Sequence, residues 1–204
     1  FGLYAKEDIV SSSGTVIPAD GLIEIITLDE NGKATVNTDL PFGSYYIKEI
    51  ATDEHYILSD TQYPFTFEYA GQDTETIEIK VNDGKPIENK LIYGSVSGKK
   101  VDENGEALNG ALIGIFKADE TVFTREHALM TAVSQKDGSF SFAKVPYGNW
   151  IVREIKAPTG FVLDDTSYEV NISENEQVVE VAITNEYIHG NIQRMENMLE
   201  SLPS

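Results

Sequence analysis

The chain contains no cysteine, which excludes disulfides, zinc thiolates, iron–sulfur clusters and cysteine nucleophiles. Basic residues are also scarce: 15 Lys and Arg stand against 34 Asp and Glu, a formal net charge of −19. Nucleic acid and anionic membrane surfaces are therefore excluded as partners, because binding phosphate takes clustered cations. No apolar run approaches the roughly 20 residues of a membrane helix, so no membrane insertion is expected. The three histidines, His55, His127 and His189, are scattered with no pair at ligand spacing, and no metal or cofactor is expected. Asp29-Glu30-Asn31-Gly32 and Asp102-Glu103-Asn104-Gly105 resemble calcium loops but lack the glutamate at the twelfth position, so both read as turns. Phosphate loops and nucleophile elbows are missing too. The first nine residues, FGLYAKEDI, contain no basic stretch leading into an apolar one, so no signal peptide is expected. The abrupt opening on a strand pattern suggests a fragment.

What is present is alternation. Tyr45–Ile50, Phe65–Tyr69, Thr76–Val81 and Val178–Ile183 alternate at period two, and Asn31-Gly32, Asp83-Gly84, Asn104-Gly105 and Asp137-Gly138 supply turns. That pattern predicts an all-β sandwich or barrel. Helix is expected at most over Thr124–Ala132 and in the tail, where Met195, Met198, Leu199 and Leu202 form a stripe. With 204 residues, one large or two small domains fit at roughly 100–150 residues each.

An internal repeat decides for two. Leu40-Pro41-Phe42-Gly43-Ser44-Tyr45-Tyr46-Ile47-Lys48-Glu49-Ile50 recurs, shifted by 105, as Val145-Pro146-Tyr147-Gly148-Asn149-Trp150-Ile151-Val152-Arg153-Glu154-Ile155. Asn89–Gly94 recurs as Asn185–Gly190, shifted by 96. The expected organisation is a first domain at 1–92, a second at 93–188, and a tail at 189–204 that starts a next segment or forms a short helix. The counterpart of the segment 94–112 in the first copy would lie before residue 1, so the first domain is expected to lack its opening strand within this sequence. The tail begins like another repeat but carries Glu196 where Lys100 stands.

Three polar residues of the second copy fall on apolar faces. Alternation sets Lys100 with Val96, Glu154 with Trp150 and Val152, and Asn185 with Val179, Val181 and Ile183. Each is costly to bury alone. If they meet, burial favours a neutral lysine amine and a protonated glutamate. The amine can then attack the asparagine amide while the carboxyl moves protons and ammonia leaves, giving a Lys–Asn isopeptide bond. Alternation alone favours a partly exposed salt bridge with an asparagine in a turn over this cluster.

The stretch from Gly94 to Ala111, GSVSGKKVDENGEALNGA, resembles the opening of a Cna-protein B-type domain, also called SpaA-like or prealbumin-like. Glu154-Ile155-Lys156-Ala157-Pro158-Thr159-Gly160-Phe161 is similar to the E-box of that family, and Ile183-Thr184-Asn185 to its closing strand. The resemblance implies tandem prealbumin-like, Ig-like Greek-key sandwiches from the stalks and pili of Gram-positive surface proteins. It implies Lys100 as nucleophile, Glu154 as proton shuttle and Asn185 as acceptor, with Lys99 the lesser candidate. In the first copy it covers only Glu49 and Asn89; Ala51–Tyr56 replaces the rest of the E-box, and Lys6 reads as a surface charge.

The expected function is a structural stalk or pilin-like module, self-cross-linking once rather than an enzyme. Its expected partners are neighbouring domains of the same surface protein, at an extracellular, cell-wall-attached location implied by the resemblance. The chain has no LPxTG-type sorting motif. The alternative is an adhesin module recognising a host extracellular-matrix protein or a glycan through the loops at 10–20 and 119–131.

Overall fold

A computed structural model describes residues 1–71, 73, 77 and 79–189. The chain divides into two compact units, Phe1–Leu91 and Ile92–Ser204. The tail stripe lies outside the described residues.

Unit 2 is a complete sandwich. Its strands are β9 (Tyr93–Asp102), β10 (Leu112–Lys117), β11 (Met130–Val133), β12 (Ser139–Pro146), β13 (Gly148–Lys156), β14 (Tyr168–Ile172) and β15 (Val178–Asn185). They form two sheets, ordered β11-β10-β13-β14 and β12-β9-β15. Period-two burial drives the packing. Val96, Phe140, Phe142, Val181 and Ile183 from the three-stranded sheet meet Ile113, Ile115, Trp150, Val152, Val170 and Ile172 from the other in one core. Strand β9 is central, antiparallel to β12 and parallel to β15, with Lys100 opposite Ile183 and Asp102 opposite Asn185. Its centre is shaped by Gly98, which faces Phe140 in register; a Cβ there would collide with the Phe140 ring.

Unit 1 is built on half of this plan. Its strands are β1 (Gly2–Ala5), β2 (Ile9–Val10), β3 (Val16–Ile17), β4 (Leu22–Ile25), β5 (Gly43–Lys48), β6 (Tyr56–Ile57), β7 (Gln62–Phe67) and β8 (Lys90–Leu91). One four-stranded sheet, β4-β1-β5-β7, is accompanied by two short ladders, β2-β3 and β6-β8. Leu3, Ala5, Ile9, Ile26 and Tyr45 form its core.

Two expectations from periodicity are corrected. Residues Thr124–Ala132 are not helical: a single turn, in which Ala128 N–H donates to Thr124 O (3.2 Å), leads into β11, whose pairing with β10 outcompetes a lone short helix. The strand expected over Thr76–Val81 falls partly outside the described residues. Within it, Ile77, Ile79 and Lys80 are not in a strand, and Val81–Gly84 is a 3-10 turn.

Candidate functional site

Three strands of unit 2 aim polar side chains at one closed point. Lys100 near the end of β9, Glu154 near the end of β13 and Asn185 at the end of β15 are exposed to 0%, 2% and 1%. Lys100 and Asn185 come from adjacent parallel strands, and Glu154 reaches them from the facing sheet. Lys100 Nζ lies 3.7 Å from Glu154 Oε1 and donates to Ile183 O at 3.2 Å. Asn185 Nδ2 donates to Glu154 Oε2 (2.7 Å) and to Val162 O (2.7 Å). Both of its neighbours are acceptors, which fixes the amide with Nδ2 toward them.

The carboxyl is anchored through one oxygen only. Glu154 Oε2 also accepts the Asp164 backbone N–H at 2.9 Å. Glu154 Oε1 and Asn185 Oδ1 are left buried without a hydrogen-bond partner. Buried orphans of this kind are costly and rare. Here both lie in one cluster, one beside the lysine and the other on the amide. Burial holds the Lys100 amine below the usual lysine range, opposed by the attraction of Glu154 and Asp164.

The loop after β13 closes the site. Phe161 N–H donates to Pro158 O (3.2 Å) in a turn with Gly160 at φ +93°. Val162 N–H then donates to Glu186 O and Ile188 N–H to Gly160 O, each at 2.9 Å, and the Phe161 and Tyr187 rings pack with centroids 4.6 Å apart. This turn delivers the Val162 carbonyl and the Asp164 N–H. Neither was identified from the sequence, since main-chain groups leave no residue signature. Tyr187 further ties the chain end to β9, donating from its hydroxyl to Asp102 Oδ2 at 2.6 Å. Lys99, by contrast, points outward and pairs with Asp137 at 3.2 Å.

Among the described residues, unit 1 holds the same glutamate–asparagine arrangement without a lysine beside it. Asn89 Nδ2 donates to Glu49 Oε1 (2.7 Å) and to Thr52 Oγ1 (2.7 Å), and Ser59 N–H donates to Glu49 Oε2 at 3.0 Å. Ser59 and Asp164 each follow their glutamate by ten residues. The Tyr56–Leu91 pair of β6 and β8 repeats the Phe161–Tyr187 bridge. The loops at 10–20 and 119–131 bring no comparable cluster together. The first contains the β2-β3 hairpin, with Val10 and Val16 exposed; in the second, Glu120 faces His127 at 3.2 Å. Asp29 and Asp102 each commit a carboxylate oxygen to two backbone N–H groups of their own turn.

These features define a tandem all-β protein whose complete unit carries a closed Lys–Glu–Asn cluster. A family model described as the SpaA prealbumin-like fold domain matches residues 1–85 and 94–187, and the chain belongs to that family. Among solved structures, the Bacillus anthracis TIE protein is similar at a TM-score of 0.65 and 21% identity, over 92% of this chain and 31% of its own. The chain thus spans under a third of that relative. GBS52, the minor pilin of Streptococcus agalactiae, matches at 0.41 and 19% over 100% of this chain and 84% of its own. BcpA, the major pilin subunit of Bacillus cereus, matches at 0.43 and 15% over 92% and 94%. No curated protein matches the chain.

Proposed function

We propose that this chain is a pilin-like stalk module of a bacterial cell-surface protein, displayed outside the cell and attached to its wall. In this reading residues 1–92 and 93–188 are successive domains, and the second cross-links itself through an isopeptide bond between Lys100 and Asn185. The reading is carried by one observation: a buried lysine, glutamate and asparagine meet, with Glu154 Oε1 and Asn185 Oδ1 lacking hydrogen-bond partners. One proton serves both atoms. Passed from the Lys100 ammonium to Glu154 Oε1, it leaves a neutral amine and a carboxyl O–H that can donate to Asn185 Oδ1.

The amine then attacks Asn185 Cγ. Its second proton and the carboxyl proton both pass to Nδ2, which leaves as ammonium, so one Nζ–Cγ bond forms and one Cγ–Nδ2 bond breaks. Glu154 ends as it began, and no oxidant or cofactor enters. Holding the amine against the amide supplies effective concentration in place of collision. Because the acceptor is consumed, the site turns over once and is not an enzyme.

Intact mass of the denatured chain, followed by peptide mapping, tests this. The expected result is a deficit of one ammonia with the Lys100 and Asn185 peptides joined, and full unmodified mass in Glu154→Gln. A wild-type chain of full mass would overturn the reading. A deficit from succinimide at an asparagine, with no joined peptides, would do the same.

A further inference from the structure

The turn that closes the cluster does more than supply a main-chain donor. Glu154 Oε2 accepts the Asp164 N–H at 2.9 Å, and the Asp164 carboxylate is itself tied down. Its Oδ1 accepts the Thr166 N–H at 3.0 Å, and its Oδ2 accepts the Tyr168 hydroxyl at 2.7 Å. Tyr168 opens β14 opposite Val152 of β13, so its side chain lies on the face that carries Glu154 and packs against the core. Residue 164 thus links Glu154 to the neighbouring strand.

Unit 1 shows which part of this link the turn needs. At a shift of 105, Ser59 stands for Asp164, Thr61 for Thr166 and Tyr63 for Tyr168. Tyr63 lies opposite Ile47 just as Tyr168 lies opposite Val152. The Ser59 N–H donates to Glu49 Oε2 at 3.0 Å, and the Ser59 hydroxyl oxygen accepts the Thr61 N–H at 3.2 Å. A neutral serine therefore suffices for both the anchor and the turn. What a carboxylate adds at residue 164 is the bond to Tyr168 and a negative charge.

That charge reaches the amine. Burial pushes Lys100 down, and the attraction of Glu154 and Asp164 opposes it. The other elements around Lys100 present neutral groups: the Ile183 carbonyl and Asn185 amide of β15, and the Tyr168 hydroxyl of β14, pushed up to about 12. Asp102, two residues further along β9, commits its carboxylate to Tyr187 and to the N–H groups of Asn104 and Glu106. Burial would raise Asp164 itself, but hydrogen bonds from Thr166 and Tyr168 and the attraction of Lys100 outweigh it, and the carboxyl is held below its usual range.

We propose that Asp164 is a charged positioning residue for the Lys100–Asn185 linkage: its N–H fixes Glu154 Oε2, leaving Oε1 toward the amine, and its carboxylate, held by Tyr168, sets a second negative charge beside Lys100. The role rests on the cross-linking proposed above. A reaction that needs one proton shared between Lys100 and Glu154 runs between the loss of the first proton from the pair and the loss of the second. A nearby negative charge makes both protons harder to lose, so it moves the whole pH window upward without being consumed.

The full chain, collected unfolded before the site has formed, is diluted into folding buffers from about pH 5 to about pH 10. Loss of ammonia is followed by mass, and joined Lys100 and Asn185 peptides are mapped at the end. Asp164→Asn is expected to move both limbs of the rate profile to lower pH. Asp164→Ser, which keeps the turn as Ser59 does, should move them alike. Tyr168→Phe keeps the charge and should slow the reaction at every pH with the limbs unmoved. If the wild type links but both Asp164 variants leave the limbs in place, even with a uniformly lower rate, the inference is overturned and the proposed function stands. Limbs moved as far by Tyr168→Phe would overturn it too. A wild-type chain that never links overturns both.

Discussion

Lys100 is the residue on which the electrostatics turn. Burial lowers its pKa despite the attraction of Glu154 and Asp164, so between that lowered value and the usual lysine value the folded state binds fewer protons than the unfolded one. Stability of an unlinked fold must therefore rise with pH across this window. In Asn185→Ala, which cannot cross-link, denaturant melts from neutral pH to about pH 10 are expected to show that rise. Adding Lys100→Met should remove the slope, whatever it does to the absolute stability. Tyr46 and Tyr168, whose hydroxyls are pushed up to about 12, act with the opposite sign, but only above about pH 10, where an unfolded tyrosine begins to ionise. At this scale the side chains were legible: alternation placed Lys100, Glu154 and Asn185 inside and Lys99 outside. The partners that fix their geometry were not. The Val162 carbonyl, the Ile183 carbonyl and the Asp164 N–H belong to the backbone, and only the ten-residue spacing shared by Ser59 and Asp164 hints at one of them.

Strand β9 illustrates what an element must satisfy to carry the site. It is paired on both edges, buried on one face, and made to fit beneath Phe140 by the absence of a side chain at Gly98. Gly98→Ala forces the ring from its place in a packed core, which costs about 1–3 kcal/mol. The loss should appear in denaturant melts of the unlinked Asn185→Ala background, where no covalent tie masks it, and a change below the error of the melt would show that the ring relocates freely. Strands β5, β7, β9, β13 and β15 were legible through period-two alternation, whereas β10, with four consecutive buried residues, carries no such pattern. Strand β11 was not legible either, because Met130–Ala132 is half-buried and Val133 exposed at the margin of its sheet, and its pairing with β10 spans residues distant in sequence. Among the described residues of unit 1 no ladder corresponds to β12-β9-β15, and nothing in residues 33–41 foretold that the counterpart of β12 would not be a strand.

Across the whole of unit 2, the proposed bond joins the first strand to the last near the same end of a parallel pair, Lys100 lying opposite Ile183 and Asn185 opposite Asp102. Tension applied through the ends of the unit would run along β9 from Tyr93 to Lys100, cross the isopeptide bond, and leave at Asn185. Residues 101–184 would lie outside the load path. In the unlinked chain the same force would shear β9 from β15 and then draw out the entire sandwich. Single-molecule pulling should thus show no unfolding step from unit 2 in the wild type. Glu154→Gln should give one step releasing on the order of 300 Å of contour, from 84 residues (184 − 100) at about 3.3–3.6 Å each. The same closure restricts the unfolded chain without force. Treated as a loop of about 86 residues, it contributes about 4–5 kcal/mol by the chain-entropy estimate. For a domain of this size that corresponds to a melting temperature lower by on the order of 20 °C in Glu154→Gln, measurable by calorimetry. Equal melting temperatures and equal step lengths for the two proteins would mean that no covalent tie spans the sandwich and that its mechanical strength rests on the β9–β15 hydrogen bonds alone.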